Sequence, residues 1–342
     1  MKKKLLFAVL VSAACMQCAD VYAQDPHFSQ YFNSPMTINP ALTGKDIADW
    51  RVLANFRSQW WGGSETAPFT TTAISLEKAY QKGAGGKSSL GIGLSLLSDA
   101  SNSGLLKNNF FAFGTAYNLA LDRNGDEQIG LGLEAVYANR LVDGNKLELQ
   151  SQFGSMGFQR SIPSGDPINT ISNHYFDMNV GVYYSKYYPS NNWGFRAGAA
   201  IFHVSTPEEG VYNSNTYNIN MRYSFQAGLV FKSTNGNELN VSAVNDRQGS
   251  NNIFSLGGVY KIKLMDNAMQ SFNIGAWNRF NDSFYPYIGL EGQNWLVGLA
   301  YDIVNEKRNL ALNGVQSIEF SLAWHFNSPR KAGAQSANVV IY

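Results

Sequence analysis

The sequence predicts an all-β fold, an antiparallel transmembrane β-barrel of about 14 strands preceded by an extended N-terminal leader segment. Three observations carry this prediction. Apolar and polar residues alternate along most segments between Trp50 and Phe326, and only 15% of the 342 residues are charged whereas 13% are aromatic. After the N-terminus, no apolar run of the sequence approaches the ~18 residues of a membrane helix. The composition therefore excludes helical transport proteins.

Residues 1–23 have the pattern of a secretory signal peptide. A basic stretch at residues 2–4 precedes a mostly apolar run at residues 5–16, and Ala23 offers a small residue at the cleavage site. Both cysteines, Cys15 and Cys18, lie inside this segment. Cleavage after Ala23 therefore leaves no thiol for catalysis, disulfides or metal binding. Lipoprotein-type cleavage before Cys15 is the competing interpretation.

A period of two defines the strands. The clearest predicted strand runs from Tyr217 to Phe231, with apolar side chains at odd positions and mostly polar or small ones at even positions. A helix cannot sort residues in this way. Fourteen such strands are predicted over residues 50–326, and an even number returns both ends of the barrel to one side of the membrane.

The polar face of the strands collects their charges. A charge facing lipid at mid-depth costs up to ~2–4 kcal/mol, so the shared parity predicts a charged lumen and an apolar belt against lipid. The predicted lumen-facing charges are Arg57, Glu134, Arg140, Asp177, Arg196, Arg222, Lys261, Arg279, Glu291, Asp302 and Glu319. Aromatic residues near the strand ends are typical of interfacial girdles. A soluble β-sandwich with an aromatic core is the alternative.

The predicted connections alternate between short turns and longer loops. The longest are residues 141–173, 205–216 and 305–315, all on one side of the barrel. Outer-membrane barrels have short periplasmic turns and longer external loops, which places both chain ends in the periplasm. Glycines and prolines predict an irregular surface for residues 141–173. We expect Leu141, Phe153, Met156 and Phe158 of this external loop to contact an exported protein.

Two motifs that resemble ligand sites have structural explanations. Gly91 and Gly93, like Gly130 and Gly132, alternate within predicted strands with no helix after them, so small inward residues explain them better than dinucleotide binding. Residues 122–126 resemble the start of a calcium loop but lack glycine at the sixth position, and they predict a hairpin turn on Asn-Gly.

Other chemistry finds little support in the sequence. His203 and Ser205 could share a strand face, which leaves an outer-membrane hydrolase as a remote alternative to a strand end leading into a Thr-Pro turn. The four histidines have no metal-ligand spacing. We therefore predict no catalytic residue, cofactor or metal site. With 26 basic and 25 acidic side chains, the sequence gives no indication of nucleic-acid binding.

Residues 24–49 form the leader. Their three prolines and several Asn, Asp and Ser residues predict extended backbone with turns. Large side chains such as Phe32 and Met36 would be unpacked in water, so we expect the leader to plug the lumen or to contact a periplasmic partner. The candidate contact residues are His27, Phe28, Gln30, Tyr31, Asn39 and Pro40.

The leader motifs resemble a known family. Residues 24–31 (QDPHFSQY), residues 39–41 (NPA), Gly44 and residues 57–60 (RSQW) resemble the PorP/SprF outer-membrane proteins of the Bacteroidetes type IX secretion system. The resemblance covers the mature chain to Phe326. Residues 42–43 depart from it, since the family commonly has an aromatic and a small residue there, as does a C-terminal extension over residues 327–342.

The resemblance implies a non-enzymatic barrel, residues 50–326, in the outer membrane. It implies that the barrel assists the secretion or surface anchoring of large adhesins or other exported proteins, with gliding motility in relatives. The implied partners are the exported cargo and periplasmic and outer-membrane secretion or motility components, besides the lipid bilayer. A general solute channel remains the alternative, although the predicted lumen charges nearly cancel and the leader could block the lumen.

Overall fold

The computed structural model describes residues 25–45, 49–61, 67–82, 88–159, 161–165, 170–210, 216–264, 269–305 and 316–326. The predicted signal peptide and C-terminal extension lie outside the described residues. In the part of the chain that is described, no helix is both long enough and apolar enough to cross a bilayer.

Fourteen antiparallel strands close into a barrel, which confirms the predicted fold and strand number. The strands in chain order are β1 Trp50–Trp61, β2 Phe69–Lys82, β3 Ser88–Ser101, β4 Leu106–Ala120, β5 Glu127–Val142, β6 Phe153–Gly154, β7 Gly157–Phe158, β8 Ile171–Tyr188, β9 Trp193–Phe202, β10 Glu208–Gly210, β11 Thr216–Asn218, β12 Arg222–Lys232, β13 Glu238–Gln248, β14 Asn251–Lys263, β15 Ser271–Arg279, β16 Ser283–Glu291, β17 Trp295–Val304 and β18 Gln316–Phe326. The pairs β6–β7 and β10–β11 are short separate hairpins, and β1 closes the barrel against β18.

The two faces of each strand have opposite environments. On β5, Leu131 and Leu133 point outward and are more than half exposed, whereas Glu134 and Val136 point inward and are buried. A sandwich would bury the apolar face and expose the polar one. The observed arrangement is therefore that of a wall with an apolar outer surface and a polar interior.

The predicted strand from Tyr217 to Phe231 is interrupted. Tyr217 belongs to β11, which pairs with β10, and β12 begins only at Arg222. Between them, the Ile219 N–H donates to Pro207 O instead of to a barrel strand. The alternation of apolar and polar residues continues across the break, because it depends on the side to which each residue points and not on the strand with which it pairs.

The longest connections lie at one end of the barrel, although that end also carries tight turns such as residues 249–250. We call the end that carries residues 143–170 and 203–221 the long-loop end, and the opposite end, with turns such as residues 189–192, the short-turn end. The prediction that Leu141 lies in the external loop is wrong, because Leu141 pairs with Ser172 within the β5–β8 ladder. Two tall strands thus carry this loop farther from the barrel than the sequence pattern indicated.

Smaller predictions about local structure hold. Asp122 accepts the Glu127 N–H at 2.9 Å, and Gly125 adopts a φ of +79°, as expected for the predicted hairpin turn between β4 and β5. His203 follows the last residue of β9 and leads into the predicted turn, in which the Thr206 N–H donates to His203 O.

We predict a depth-dependent penalty for charge on the outer face. Leu133→Arg places a guanidinium at mid-strand, where it should lower the free energy of unfolding from lipid vesicles by ~2–4 kcal/mol. Leu121→Arg, at an equally exposed position just past β4, is the matched control and should change it by ~0–1 kcal/mol. Equal effects in the two variants would contradict the assignment of the outer face to lipid.

Candidate functional site

The leader runs through the lumen from the long-loop end to the short-turn end. The Asp25 N–H donates to Gln248 Oε1 at 3.0 Å, at the long-loop end of β13. Twenty residues later, Lys45 Nζ donates to Gln128 Oε1 at 2.7 Å, near the start of β5 at the other end. Three short 3₁₀ turns, Tyr31–Asn33, Pro35–Thr37 and Pro40–Leu42, compact the path between them. The leader therefore traverses the whole interior of the barrel.

An ionic cluster fixes the beginning of the leader. The Asp25 carboxylate lies 2.9 Å from His203 Nε2 and 3.0 Å from Arg222 Nε. The other ring nitrogen of His203 lies 2.5 Å from Asp177 Oδ2. His203 is thus held between a leader carboxylate and a wall carboxylate, beside the Arg222 guanidinium.

The ionisation of this cluster follows from its charges. Burial favours the neutral form of Asp25, but His203 and Arg222 outweigh it and hold the pKa of Asp25 well below its usual range. Burial also opposes the charged form of His203, yet Asp25 and Asp177 raise the pKa of His203 to about 10. At neutral pH the His203 imidazolium and the Asp25 carboxylate are therefore both charged, so this leader anchor is an ion pair.

The next leader residues bind two buried carboxylates of the wall. Glu319 accepts the backbone N–H groups of Ser29 and Gln30 at 2.7 and 2.8 Å. Asp302 accepts the Ser29 hydroxyl at 2.7 Å. The Gln30 Nε2 donates to Glu319 O at 2.9 Å, and the Gln30 Oε1 accepts from Ser321 Oγ, so both polar atoms of this amide are bonded to the wall.

Two buried arginines complete this part of the site. Arg57 donates to His27 O at 2.6 Å and to Asp302 at 2.8 Å. Arg279 donates to Ser29 Oγ at 2.8 Å and lies 3.3 Å from Asp302. Two cations and two anions, all on wall strands, thus surround residues 27–30.

Aromatic side chains hold the middle of the leader. The Phe32 ring stacks on Trp277 at 5.3 Å between centroids and meets the edge of Tyr287 at the same distance. Tyr31 packs edge-on against Trp277, and its hydroxyl lies 2.5 Å from Ser242 Oγ. Such pairs contribute about 0.5–1.5 kcal/mol each beyond the area they bury. The β13–β16 side of the lumen is therefore filled by apolar packing.

Asn39 organises the last turn of the leader. Its Nδ2 donates to Val182 O at 2.9 Å and to Gln226 Oε1 at 3.0 Å, while its Oδ1 accepts the Ala41 N–H. The same amide therefore caps the turn Pro40–Leu42, in which proline takes the first position, and ties it to the wall.

Wall glycines make room for this turn. A Cβ at Gly91 would overlap Thr43 O, and a Cβ at Gly132 would overlap the backbone between residues 40 and 41. At Gly181 it would overlap the Asn39 side chain. These glycines belong to β3, β5 and β8, and they form a groove in which the leader backbone touches the strand backbone.

The structure places the predicted leader residues inside the barrel. Phe28, Gln30, Asn39 and Pro40 are buried, and His27 and Tyr31 are half-buried. Much of their surface is in contact with the wall, so a periplasmic contact through these residues would need the leader to leave the lumen. The sequence reasoning missed Asp25 and Ser29 as site residues, although both belong to the motif that carried the family resemblance.

The predicted charges of the strand interiors also lie in the lumen. Arg57, Asp177, Arg222, Arg279 and Glu319 are buried and take part in the contacts above. Glu134 is buried and accepts from Asn179 Nδ2 at 2.7 Å. Arg196 is half-buried and lies over Gly228. Of the predicted loop residues, Phe153 and Met156 are exposed at the long-loop end.

The His203–Ser205 pair does not have the geometry of a nucleophile and its base. Ser205 Oγ donates to Asp177 Oδ1 at 2.6 Å, and both ring nitrogens of His203 face carboxylates. A hydrolase needs the serine hydroxyl bonded to an imidazole nitrogen that can accept its proton. Within the described residues, no group of three or more His, Cys, Asp or Glu side chains could hold a metal ion.

These features define a transmembrane β-barrel of the outer-membrane type whose lumen is filled by its own leader. The PorP/SprF family of type IX secretion system membrane proteins matches residues 20–324. The chain belongs to this family.

Solved structures similar to this one are also barrels, at low identity. They include a Pseudomonas aeruginosa FadL homologue, which is 11% identical over 84% of this chain and 93% of that chain, with a TM-score of 0.48. The CymD monoaromatic hydrocarbon channel is 11% identical over 87% of this chain and 94% of that chain, with a TM-score of 0.48. The Ralstonia pickettii toluene transporter TbuX is 11% identical over 86% of this chain and 94% of that chain, also with a TM-score of 0.48. No curated protein matches the chain.

We predict that Glu319→Ala loosens the leader. The substitution removes the acceptor of two leader N–H groups and leaves buried Arg57 with one carboxylate fewer, so stability should fall by about 3–5 kcal/mol. Residues 24–342 contain no cysteine, so Phe28→Cys can report on the leader alone, and a maleimide should label it faster when Glu319 is replaced.

The matched control is Glu208→Ala, which removes an exposed carboxylate at the long-loop end. It should leave both stability and the labelling of Phe28→Cys unchanged. Equal labelling rates in the Glu319 and Glu208 variants would show that Glu319 does not retain the leader.

Proposed function

We propose that this protein is a non-enzymatic outer-membrane component. It assists the secretion of large adhesins or other exported proteins, or it anchors them at the cell surface. Family membership supports the link to type IX secretion. The observation that carries the proposal is the leader clamped in the lumen by buried ion pairs and hydrogen bonds. A barrel filled in this way acts as a scaffold whose ends contact other proteins.

The long-loop end offers the surface for the exported protein. Long loops of outer-membrane barrels face the cell exterior, which orients this end outward. Residues 143–170 carry the β6–β7 hairpin, in which Phe153 is 59% and Met156 is 86% exposed, and the Phe153 ring packs against Phe158 at 5.7 Å. Exposed apolar groups clustered on one protrusion are typical of protein-binding sites.

The short-turn end faces the periplasm in this orientation. Secretion or motility components of the periplasm would contact its turns, which is the partner set that the family suggests. The leader braces the barrel at this end, because Gly44 donates to Glu77 of β2 and Lys45 donates to Gln128 of β5.

We expect loss of surface attachment when residues 143–170 are replaced by a short turn. The barrel should still insert, because β5 and β8 pair along their full length without the loop, whereas the exposed apolar hairpin is lost. The measurement compares the exported protein retained on intact cells with the amount released into the medium. Deleting the gene gives the reference for complete loss.

A matched control replaces the short turn at residues 234–236 with another turn of the same length. This variant should retain attachment, because the turn lies at the opposite end of the barrel. The proposal would be contradicted if the loop variant kept the exported protein on the cell surface. It would also be contradicted if gene deletion left the amount of exported protein on the surface unchanged.

Conductance separates this proposal from the alternative of a general solute channel. With the leader intact, we expect planar bilayers containing the purified protein to show no large steady channels, because leader side chains occupy the lumen. The cavity between the leader and Glu134, Tyr175 and Arg222 measures only about 70 Å³, room for a few waters. Steady channels with the leader in place would favour the solute channel.

A further inference from the structure

The outward face of β4 changes from apolar to polar to cationic toward the long-loop end. Phe113 and Phe111 are exposed, Asn109 follows them on the same face, and Lys107 ends the series. A strand tilted by about 40° climbs roughly 2.5 Å per residue, so Lys107 stands roughly 10 Å beyond Phe111. The outward apolar residues of β4 end at Phe111, which places Lys107 in the headgroup region. This order matches the acyl chain, linking group and phosphate of a lipid.

An apolar groove lies on the outer wall below Lys107. Its floor is Ala135 of β5, which pairs with Phe113 of β4 on one side and with Met178 of β8 on the other. Because a methyl group lies between two large side chains, the outer surface is recessed here. The upper part of the groove is lined by Leu96, Phe111 and Tyr137. Its volume of about 730 Å³ is that of an ordinary small-molecule site, so it can hold part of an acyl chain.

A row of polar side chains lies between the groove and the long-loop end. Ser98 Oγ donates to Asn109 Oδ1 at 2.8 Å, and Asn139 Nδ2 donates to Ser172 Oγ at 2.8 Å. All four side chains share the outward parity of their strands. They therefore lie at the level of the ester, amide and sugar oxygens that join the chains of a lipid to its headgroup.

Two lysines meet at the top of this surface. A Cβ built at Gly104 would lie 3.7 Å from Lys107 Nζ and 3.1 Å from Lys146 Nζ, so both ammonium groups flank one residue. Lys146 Nζ also donates to Ser103 O at 2.7 Å, which holds it there. Among the described residues, neither ammonium group is paired with a carboxylate. Two like charges this close repel each other, so the site favours an anion such as phosphate between them.

The lysine pair distinguishes this groove from a second one on the outer wall. The second groove has a volume of about 650 Å³ and lies lower on the wall. Its floor is Ala199 of β9, which pairs with Val182 of β8 and Phe225 of β12. Apolar side chains border it, with no lysine among its lining residues. Bulk lipid can fill either groove, whereas the first also offers a charged headgroup site.

We propose that this surface binds one phosphorylated lipid of the outer leaflet, with its phosphate between Lys107 and Lys146 and an acyl chain over Ala135. Charge complementarity selects the occupant, because free phosphate would leave the groove empty and an uncharged lipid would leave the two ammonium groups unpaired. The site takes its orientation from the proposed function, in which the long-loop end faces the exterior. It does not involve the exported protein.

Binding of lipid A to the purified full chain tests the proposal. The protein in detergent, freed of bulk lipid, is mixed with lipid A that carries its phosphates or with the same lipid after dephosphorylation, and native mass spectrometry gives the bound fraction. We expect one lipid A per barrel and about tenfold weaker binding without the phosphates, since charge-assisted contacts are lost. Equal binding of the two lipids, or no binding of either, would overturn the proposal.

Replacing both lysines tests the headgroup site. The double variant with Lys107→Ala and Lys146→Ala should insert normally, because both residues lie beyond the apolar part of the wall, and should bind phosphorylated lipid A about tenfold more weakly. Arg247→Ala is the matched control, since it removes an exposed cation at the same end, on β13, and should leave binding unchanged. An unchanged affinity in the double variant would refute the assignment of the lysines.

Filling the groove tests the acyl-chain site. Ala135→Phe keeps the outer face apolar but fills the recess, so we expect about fivefold weaker binding, whereas the matched variant Ala199→Phe fills the second groove and should bind normally. Equal affinities in these two variants would overturn the groove assignment. If Ala135→Phe fails to insert, the unmodified protein still decides, because raising salt from about 0.05 to 0.5 M should weaken its binding of phosphorylated lipid A. Binding that salt does not weaken would contradict the proposal.

These measurements are independent of the test of the proposed function. Lipid binding is measured on the purified protein without an exported protein, whereas surface attachment is measured on cells. A failure of lipid binding therefore overturns this inference alone, and unchanged attachment after gene deletion overturns the proposed function alone.

Discussion

Charges buried inside the barrel need partners, and the leader supplies part of them. Arg57, Arg279, Asp302 and Glu319 are removed from water on the lumen side of four different strands. The desolvation of each ion costs several kcal/mol, and it is repaid only where further hydrogen bonds complete the pairing. Ser29, through its hydroxyl and its backbone N–H, provides two of these bonds. Wall and leader are therefore mutually dependent, and most other features of the interior follow from this arrangement.

The wall accommodates the leader in two different ways. On the side of β3 to β8, glycines bring strand backbone against leader backbone, so that turn Pro40–Leu42 fits into a groove. On the side of β14 to β16, Trp277 and Tyr287 fill the space around Phe32. A groove of small residues faces a ridge of large ones, and the leader lies between them in one position, as close packing requires. The inward glycines that resembled a nucleotide motif thus have a steric role.

The sequence predicted the wall well and the contacts of the leader poorly. Parity within a strand is a local property, so the strand number, the two faces and the lumen charges such as Arg222 could be predicted. The ends of strands depend on which neighbour is paired, which explains the errors at Leu141 and Tyr217. The leader's unpacked aromatic residues indicated docking, but its direction rests on long-range contacts such as Asp25 with His203. No local pattern records such contacts.

A filled lumen shifts the interactions of the barrel to its two ends. Because β5 and β8 are the tallest strands that pair along their length, the loop that joins them is carried above the rim. The strand β9 is shorter, and the chain beyond it turns at His203 before β10 contacts β8. Asp25 lies at this same end, where Asp177 of β8 holds His203, so the anchor of the leader is attached to the strand that carries the loop. The leader inside the lumen and the loop outside it therefore share β8 as a structural support.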